Sequence, residues 1–131
     1  MKNDLIQHAR TYATSMHKRI NQRRKYTLAP YHVHLNAVAN LVAAVSDDPQ
    51  MIAAAWLHDT VEDTPATFAD LEREFGEDVM LLVMELTDIS RPSDGNRVTR
   101  KTIDRLHLAK ASQRAKTVKL ADVIDNTRDI S

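Results

Sequence analysis

The chain has 131 residues, 43% hydrophobic and 27% charged, with eighteen basic residues balanced by eighteen acidic ones and no cysteine. This length is one domain, large enough to bury a real core, and the neutral balance excludes a global pull toward nucleic acid or anionic lipid. The lack of cysteine excludes a disulfide framework, a thiolate metal site and a cysteine nucleophile.

The longest apolar runs, "MIAAAWL" and "VMLLVM", are too short to span a bilayer. The polar start "MKNDLIQHAR" is no signal peptide. These features predict a cytoplasmic protein without a membrane or nucleic-acid partner. Only two glycines and four prolines punctuate the sequence, and the periodicity is helical throughout.

Residues 3–22 read as a first helix with Leu5, Ile6, Ala9, Tyr12, Ala13 and Met16 on one face. "NQRRKYTLAP" is a basic connection. Pro30 suits a first helical position, and Val33, Ala37, Val38, Leu41, Val42 and Val45 form the stripe of a second helix. After the turn "SDDP", a third helix covers 49–63. Thr67 with Asp70 three residues on reads as the cap of a short fourth helix, which Gly76 ends. A fifth helix covers 77–87, "ISRPSDGNR" is a loop, and helices over 98–111 and 115–129 follow. The expectation is an all-α single domain over residues 1–131, about seven helices and no sheet. Trp56 and "VMLLVM" are assigned to the core.

The third helix runs from an apolar stretch into His58, Asp59, Glu62 and Asp63. At 3.6 residues per turn, His58 stacks with Glu62 and Asp59 with Asp63. Carboxylates in the last turn of a helix oppose its dipole, and a bound cation offsets that cost. Imidazole and carboxylate together suit Mn²⁺, Fe²⁺ or Zn²⁺ better than Ca²⁺. His34 in "PYHVHL" and Asp122 in "KLADVIDN" are polar residues on faces that otherwise read as buried. With His58 and Asp59 they make a two-nitrogen, two-oxygen ligand set. Asp122 has an alternative partner in Lys119 on its own helix. His32 falls on another face from His34, at the surface or behind the ligands, while His8, His17 and His107 belong to no constellation.

A histidine, a His-Asp pair and a distant aspartate form the ligand order of HD phosphohydrolases. "HDTVEDT", "PYHVHLNAVANLV", "FGEDVMLLVMELTDIS" and "KTVKLADVIDNTRDI" resemble, in order and spacing, the hydrolase domain of the RelA/SpoT family, which degrades the alarmone (p)ppGpp. With no room for a synthetase domain, the chain resembles a small alarmone hydrolase of the metazoan SpoT-homologue type. The resemblance implies an HD-domain helical bundle and a Mn²⁺ ion held by His34, His58, Asp59 and Asp122. It implies Glu62 and Asp63 as catalytic acids, Asn126 as a nucleotide contact, and Arg24 or Lys25 as the basic residue that engages a guanosine polyphosphate. Lys101 and Lys119 are further cationic candidates.

Two departures stand out. "YTLA" replaces the family's glycine-containing approach to Pro30. The chain also stops five residues after Asn126, where the family continues, so the domain is expected to lack its C-terminal helices. Two other functions fit the same scaffold. One is a different nucleotide phosphohydrolase, such as an NADPH 2′-phosphatase or nucleotidase. The other is a low-turnover nucleotide-binding module.

Overall fold

The computed structural model describes the backbone of residues 2–24 and 27–130 and the side chains of 4–24 and 27–128. Among the described residues there are seven helices of eight residues or more and no strand. The long helices are α1 (Lys2–Arg19), α2 (Tyr31–Val45), α3 (Pro49–Leu57), α5 (Phe68–Phe75), α6 (Glu77–Leu86), α7 (Arg97–Ala109) and α8 (Gln113–Ile130). A four-residue turn, α4 (Thr60–Asp63), follows α3, and a 3₁₀ turn covers Pro92–Asp94.

The core is centred on α3, which packs against α1, α2, α6 and α8. Its residues from Met51 to Leu57 are all buried. A helix buried on every side has no polar face to write in sequence, which explains the unbroken "MIAAAWL". Asp48 starts it by accepting a hydrogen bond from the Gln50 N–H at 2.9 Å, with Pro49 at the first helical position. The capping box expected at α5 is present: Thr67 Oγ1 accepts from the Asp70 N–H at 3.1 Å, and Asp70 Oδ2 from the Thr67 N–H at 3.0 Å. Gly76, at φ +94°, separates α5 from α6.

Two details differ from expectation. Pro30 is the N-cap of α2 rather than its first helical residue. The buried face of α2 is His34, Leu35, Val38, Ala39 and Val42, while Val33 and Val45 are 48% and 72% exposed. The stripe is therefore rotated toward His34, because α2 buries the face that meets α3 and α8.

The connection between α1 and α2 folds back on itself. Arg24 N–H donates to the Ala29 carbonyl at 2.7 Å and Leu28 N–H to the Arg24 carbonyl at 3.1 Å. Arg23 and Pro30 form an isolated antiparallel bridge. Leu28, which stands in the "YTLA" departure, takes a left-handed φ of +60°. The loop before α7 is tied down by Asp104, which accepts from the Ile89 and Ser90 N–H groups at 2.9 Å each and from the Ser90 hydroxyl at 2.7 Å.

Candidate metal centre and active site

The periodicity carries the third helix through Asp63, but the structure breaks it at His58–Asp59. His58 caps α3, and its Nδ1–H donates to the Ala55 carbonyl at 2.7 Å, occupying one of the carbonyls a helix end leaves unpaired. Asp59 then sits at φ −102°, ψ 1°, outside the helical region, and α4 begins. Glu62 and Asp63 therefore belong to a separate short turn, not to the last turn of a long helix. The break turns His58 and Asp59 toward the same centre, which a continuous helix does not do for adjacent residues.

The four expected ligands come together. His34, from the first turn of α2, and Asp122, from the buried face of α8, meet His58 and Asp59, and one donor atom from each lies within 4.8 Å of all the others. His34 Nε2 is 2.9 Å and His58 Nε2 3.1 Å from Asp122 Oδ1. Asp59 Oδ2 is 3.0 Å from His58 Nε2 and 3.9 Å from His34 Nε2. His34, His58 and Asp122 are buried.

The donor chemistry fits a divalent transition metal. Each imidazole has its Nδ1 committed elsewhere, His34 to Asp125 Oδ2 at 2.7 Å and His58 to the Ala55 carbonyl. That leaves both Nε2 atoms facing the carboxylates, the arrangement in which an outer hydrogen bond fixes a ligating histidine. Two nitrogens and two oxygens suit Mn, Fe or Zn rather than an all-oxygen calcium site. Tyr31 donates its hydroxyl to Asp59 Oδ2. Lys119 Nζ lies 3.2 Å from Asp122 Oδ2, which leaves Oδ1 facing the two imidazoles.

The charges favour a cation at this point. Burial opposes charge on His58, yet Asp59 and Asp122 outweigh it and hold the imidazole well above its ordinary range. Asp59, despite burial, is held at about 2 by His58. Asp122, also against burial, is pulled below the usual carboxylate range by its hydrogen bonds with His34 and His58.

Glu62 and Asp63 lie next to this centre. Glu62 is exposed at the rim of the centre, but partial desolvation of its carboxyl, followed by the neighbouring charges of Asp88 and Asp59, pushes it up to about 7. Asp63, also exposed at this rim, is raised by partial desolvation, although Gln22 Nε2 donates to its Oδ2 at 3.0 Å. Gln22 accepts in turn from His17 Nδ1 at 2.7 Å.

Of the expected substrate residues, Arg24 is buried and bonded to α8 at Asp125 and Asn126. Asn126 is exposed and donates to Asp122 Oδ1 at 3.2 Å. Lys25 lies outside the described residues. His32 and Lys101 are exposed.

Three side chains of this site carry no expectation from sequence, and a fourth, His17, expected in no constellation, joins it through Gln22 and Asp63. Tyr31 stands in the quoted "PYHVHL". Asp125 sits three residues beyond Asp122, on the same helical face. His17 follows Ala9 and Ala13 at four-residue steps and is 1% exposed, so its position on the apolar stripe was a usable signal. Gln22 carried none.

The sequence profile of the HD domain matches residues 9–131. The chain belongs to the HD-domain family. Among its members this HD domain is similar to the guanosine-3′,5′-bis(diphosphate) 3′-pyrophosphohydrolase MESH1 of Drosophila melanogaster, with 43% identity over 122 residues, 91% of this chain and 65% of the relative. The Xenopus tropicalis MESH1 is 40% identical over 129 residues, 96% of this chain and 69% of the relative. A solved structure of a metazoan SpoT orthologue that hydrolyses ppGpp superposes with a TM-score of 0.83 at 39% identity, covering 96% of this HD domain and 70% of that chain. The HD domain thus spans about two thirds of the length of the MESH1 relatives it matches. No described helix is long and apolar enough to cross a membrane.

Proposed function

We propose that this HD domain is a metal-dependent guanosine-3′,5′-bis(diphosphate) 3′-pyrophosphohydrolase that converts (p)ppGpp to GDP or GTP and pyrophosphate, with Mn²⁺ as the metal. The observation that carries the reading is the convergence of His34, His58, Asp59 and Asp122 beside Glu62, a carboxyl raised to about 7. The MESH1 relatives bear the name of this activity. A divalent cation, when bound, supplies Lewis-acid polarisation and makes water acidic enough to attack at neutral pH.

In this reading Glu62 accepts the proton of the attacking water. Partial desolvation and the neighbouring Asp88 and Asp59 raise this carboxyl, which makes it a stronger base than an ordinary carboxylate and lets it take a proton and return it in the same cycle. The new P–O bond forms to water oxygen, the bond from phosphorus to the ribose 3′ oxygen breaks, and that oxygen leaves with a proton. Asp63, held by Gln22, orients the water. The basic connection between α1 and α2 faces the polyphosphate. Arg23 is exposed there, and of the two cations the resemblance offers for substrate, Arg24 or Lys25, the buried Arg24 leaves Lys25 for that contact.

The test is incubation of the purified protein with Mn²⁺ and, separately, ppGpp, NADPH and nucleoside monophosphates, with product identification. Pyrophosphate from ppGpp, abolished in the Glu62→Gln/Asp63→Asn double variant, is the expected result. Inorganic phosphate from NADPH alone, or no product from any substrate, contradicts it.

A further inference from the structure

Arg24 stands behind two of the four ligands at once. Its Nη2 lies 3.2 Å from Asp125 Oδ2 and donates to the Asp125 carbonyl at 3.2 Å, while its Nη1 donates to Asn126 Oδ1 at 3.1 Å. Asp125 Oδ2 accepts from His34 Nδ1, and Asn126 Nδ2 donates to Asp122 Oδ1. Asp125 and Asn126 follow Asp122 by three and four residues, one turn along the same face of α8. One guanidinium therefore fixes, through two adjacent residues, both the His34 imidazole and the Asp122 carboxylate.

The environment makes this contact effective. The Arg24 and Asp125 side chains are 7% and 14% exposed, so water and salt screen their attraction little. A planar fork with several fixed donors holds two acceptors in one relative orientation, and an ammonium does not. A donor set already spent on α8 is poorly placed to serve a substrate phosphate.

We propose that Arg24 and Asp125 are positioning residues of the metal centre. Asp125 keeps the proton on His34 Nδ1 and sets the ring plane so that Nε2 presents its lone pair. Arg24 locks Asp125 and Asn126 together, so the connection between α1 and α2 tunes metal affinity. This gives Arg24 a role other than the substrate contact, for which the family resemblance offers Arg24 or Lys25. The inference rests on the metal-centre part of the reading above and not on the identity of the nucleotide.

The experiment is titration of Mn²⁺, without nucleotide, into protein stripped by chelation, followed by calorimetry or electron paramagnetic resonance. Circular dichroism melts verify that each metal-free variant is folded. Asp125→Ala is expected to raise the Mn²⁺ Kd by about 10- to 100-fold, the usual effect of removing a carboxylate behind a ligating histidine. Should that variant fail to fold, Asp125→Asn, which keeps an acceptor for Nδ1–H, gives a smaller rise. Arg24→Ala raises the Kd in the same direction, and Arg24→Lys recovers only part of it. Arg23→Ala, whose Nη1 is turned to the Leu28 carbonyl at 3.3 Å, removes the same charge from the same segment and leaves the Kd unchanged.

Unaltered Mn²⁺ affinity in folded Arg24→Ala and Asp125→Asn overturns the proposal. A rise in KM for ppGpp with Mn²⁺ affinity intact overturns it too, and leaves the hydrolase reading standing. Lost Mn²⁺ affinity in these variants, together with no turnover of ppGpp by the unaltered protein, keeps the proposal and defeats the substrate assignment.

Discussion

Tyr31 donates its hydroxyl to Asp59 Oδ2, the oxygen that lies 3.0 Å from His58 Nε2. The first residue of α2 thus holds a carboxylate at the break between α3 and α4, and two segments of the ligand set are fastened before any ion binds. Burial, with the neighbouring Asp59, raises the Tyr31 phenol far above its ordinary value, so it stays a donor at every physiological pH. Tyr31→Phe removes that donor with little change in shape. Expected are a loss of about 1–2 kcal/mol in metal-free stability, from a hydrogen bond to a charged acceptor, and an increase in the Mn²⁺ Kd of roughly tenfold. Denaturant melts and Mn²⁺ titration check both.

The proposed metal centre couples metal uptake to protons. An imidazole ligates only when its Nε2 is unprotonated, and Asp59 and Asp122, outweighing burial, hold His58 charged well above the ordinary histidine range. The proton competes with the metal below that raised value. Mn²⁺ affinity is therefore expected to climb from pH 6 to pH 8, by up to about tenfold per unit for one displaced proton. Calorimetry in buffers of different ionisation enthalpy reads the protons released. Affinity that is flat over this range contradicts the charge arrangement.

Glu62 gives a second pH signature, one of stability. Partial desolvation of its carboxyl, then Asp88 and Asp59, raises it from an ordinary 4.5 to about 7 in the folded chain. A carboxyl raised by folding favours the folded state below its unfolded value and withdraws that contribution as pH climbs through its folded value. Between about pH 4.5 and 7 the metal-free protein is expected to lose stability, and Glu62→Gln to lose less over the same window. Urea midpoints of the two proteins across this range provide the measurement.

Leu28 carries a left-handed φ of +60° and is 65% exposed. That conformation costs a non-glycine residue about 1–2 kcal/mol, and the exposed side chain offers little packing in return. Leu28→Gly relieves the strain and pays about 0.5–1 kcal/mol in chain entropy. The net expectation is stability equal to or up to ~1 kcal/mol above the wild type, with Leu28→Val less stable than both. A melt series on the three proteins decides it. The position matters because Leu28 N–H closes a turn onto the Arg24 carbonyl.

All four residues of the candidate ligand set were legible because each interrupts an apolar pattern. His34 interrupts the stripe of α2, and His58 and Asp59 follow a run with no polar residue. Asp122 follows Ala121, on the face that also buries Ala115 and Val118. The helix break was not legible, since the spacing of His58, Asp59, Glu62 and Asp63 continues a helical period and the event that ends α3 is a side-chain bond from His58 to Ala55. Asp125 and Tyr31 were hidden for another reason. An aspartate or tyrosine on a half-polar face reads as solvated surface, and only the packing of α2 against α8 and against the α3–α4 break shows that Asp125 accepts from His34 and that Tyr31 donates to Asp59. The reach of Arg24 to Asp125 and Asn126 spans about a hundred residues, a distance at which no local pattern speaks.

The central claim is that three separated segments hold one transition-metal ion. Crystals soaked in Mn²⁺ and measured by anomalous scattering at the manganese edge test it most directly. A single peak within bonding distance of His34 Nε2, His58 Nε2, Asp59 and Asp122 is the predicted result. No peak there under saturating Mn²⁺, or a peak elsewhere with these four side chains bonded only to one another, contradicts it.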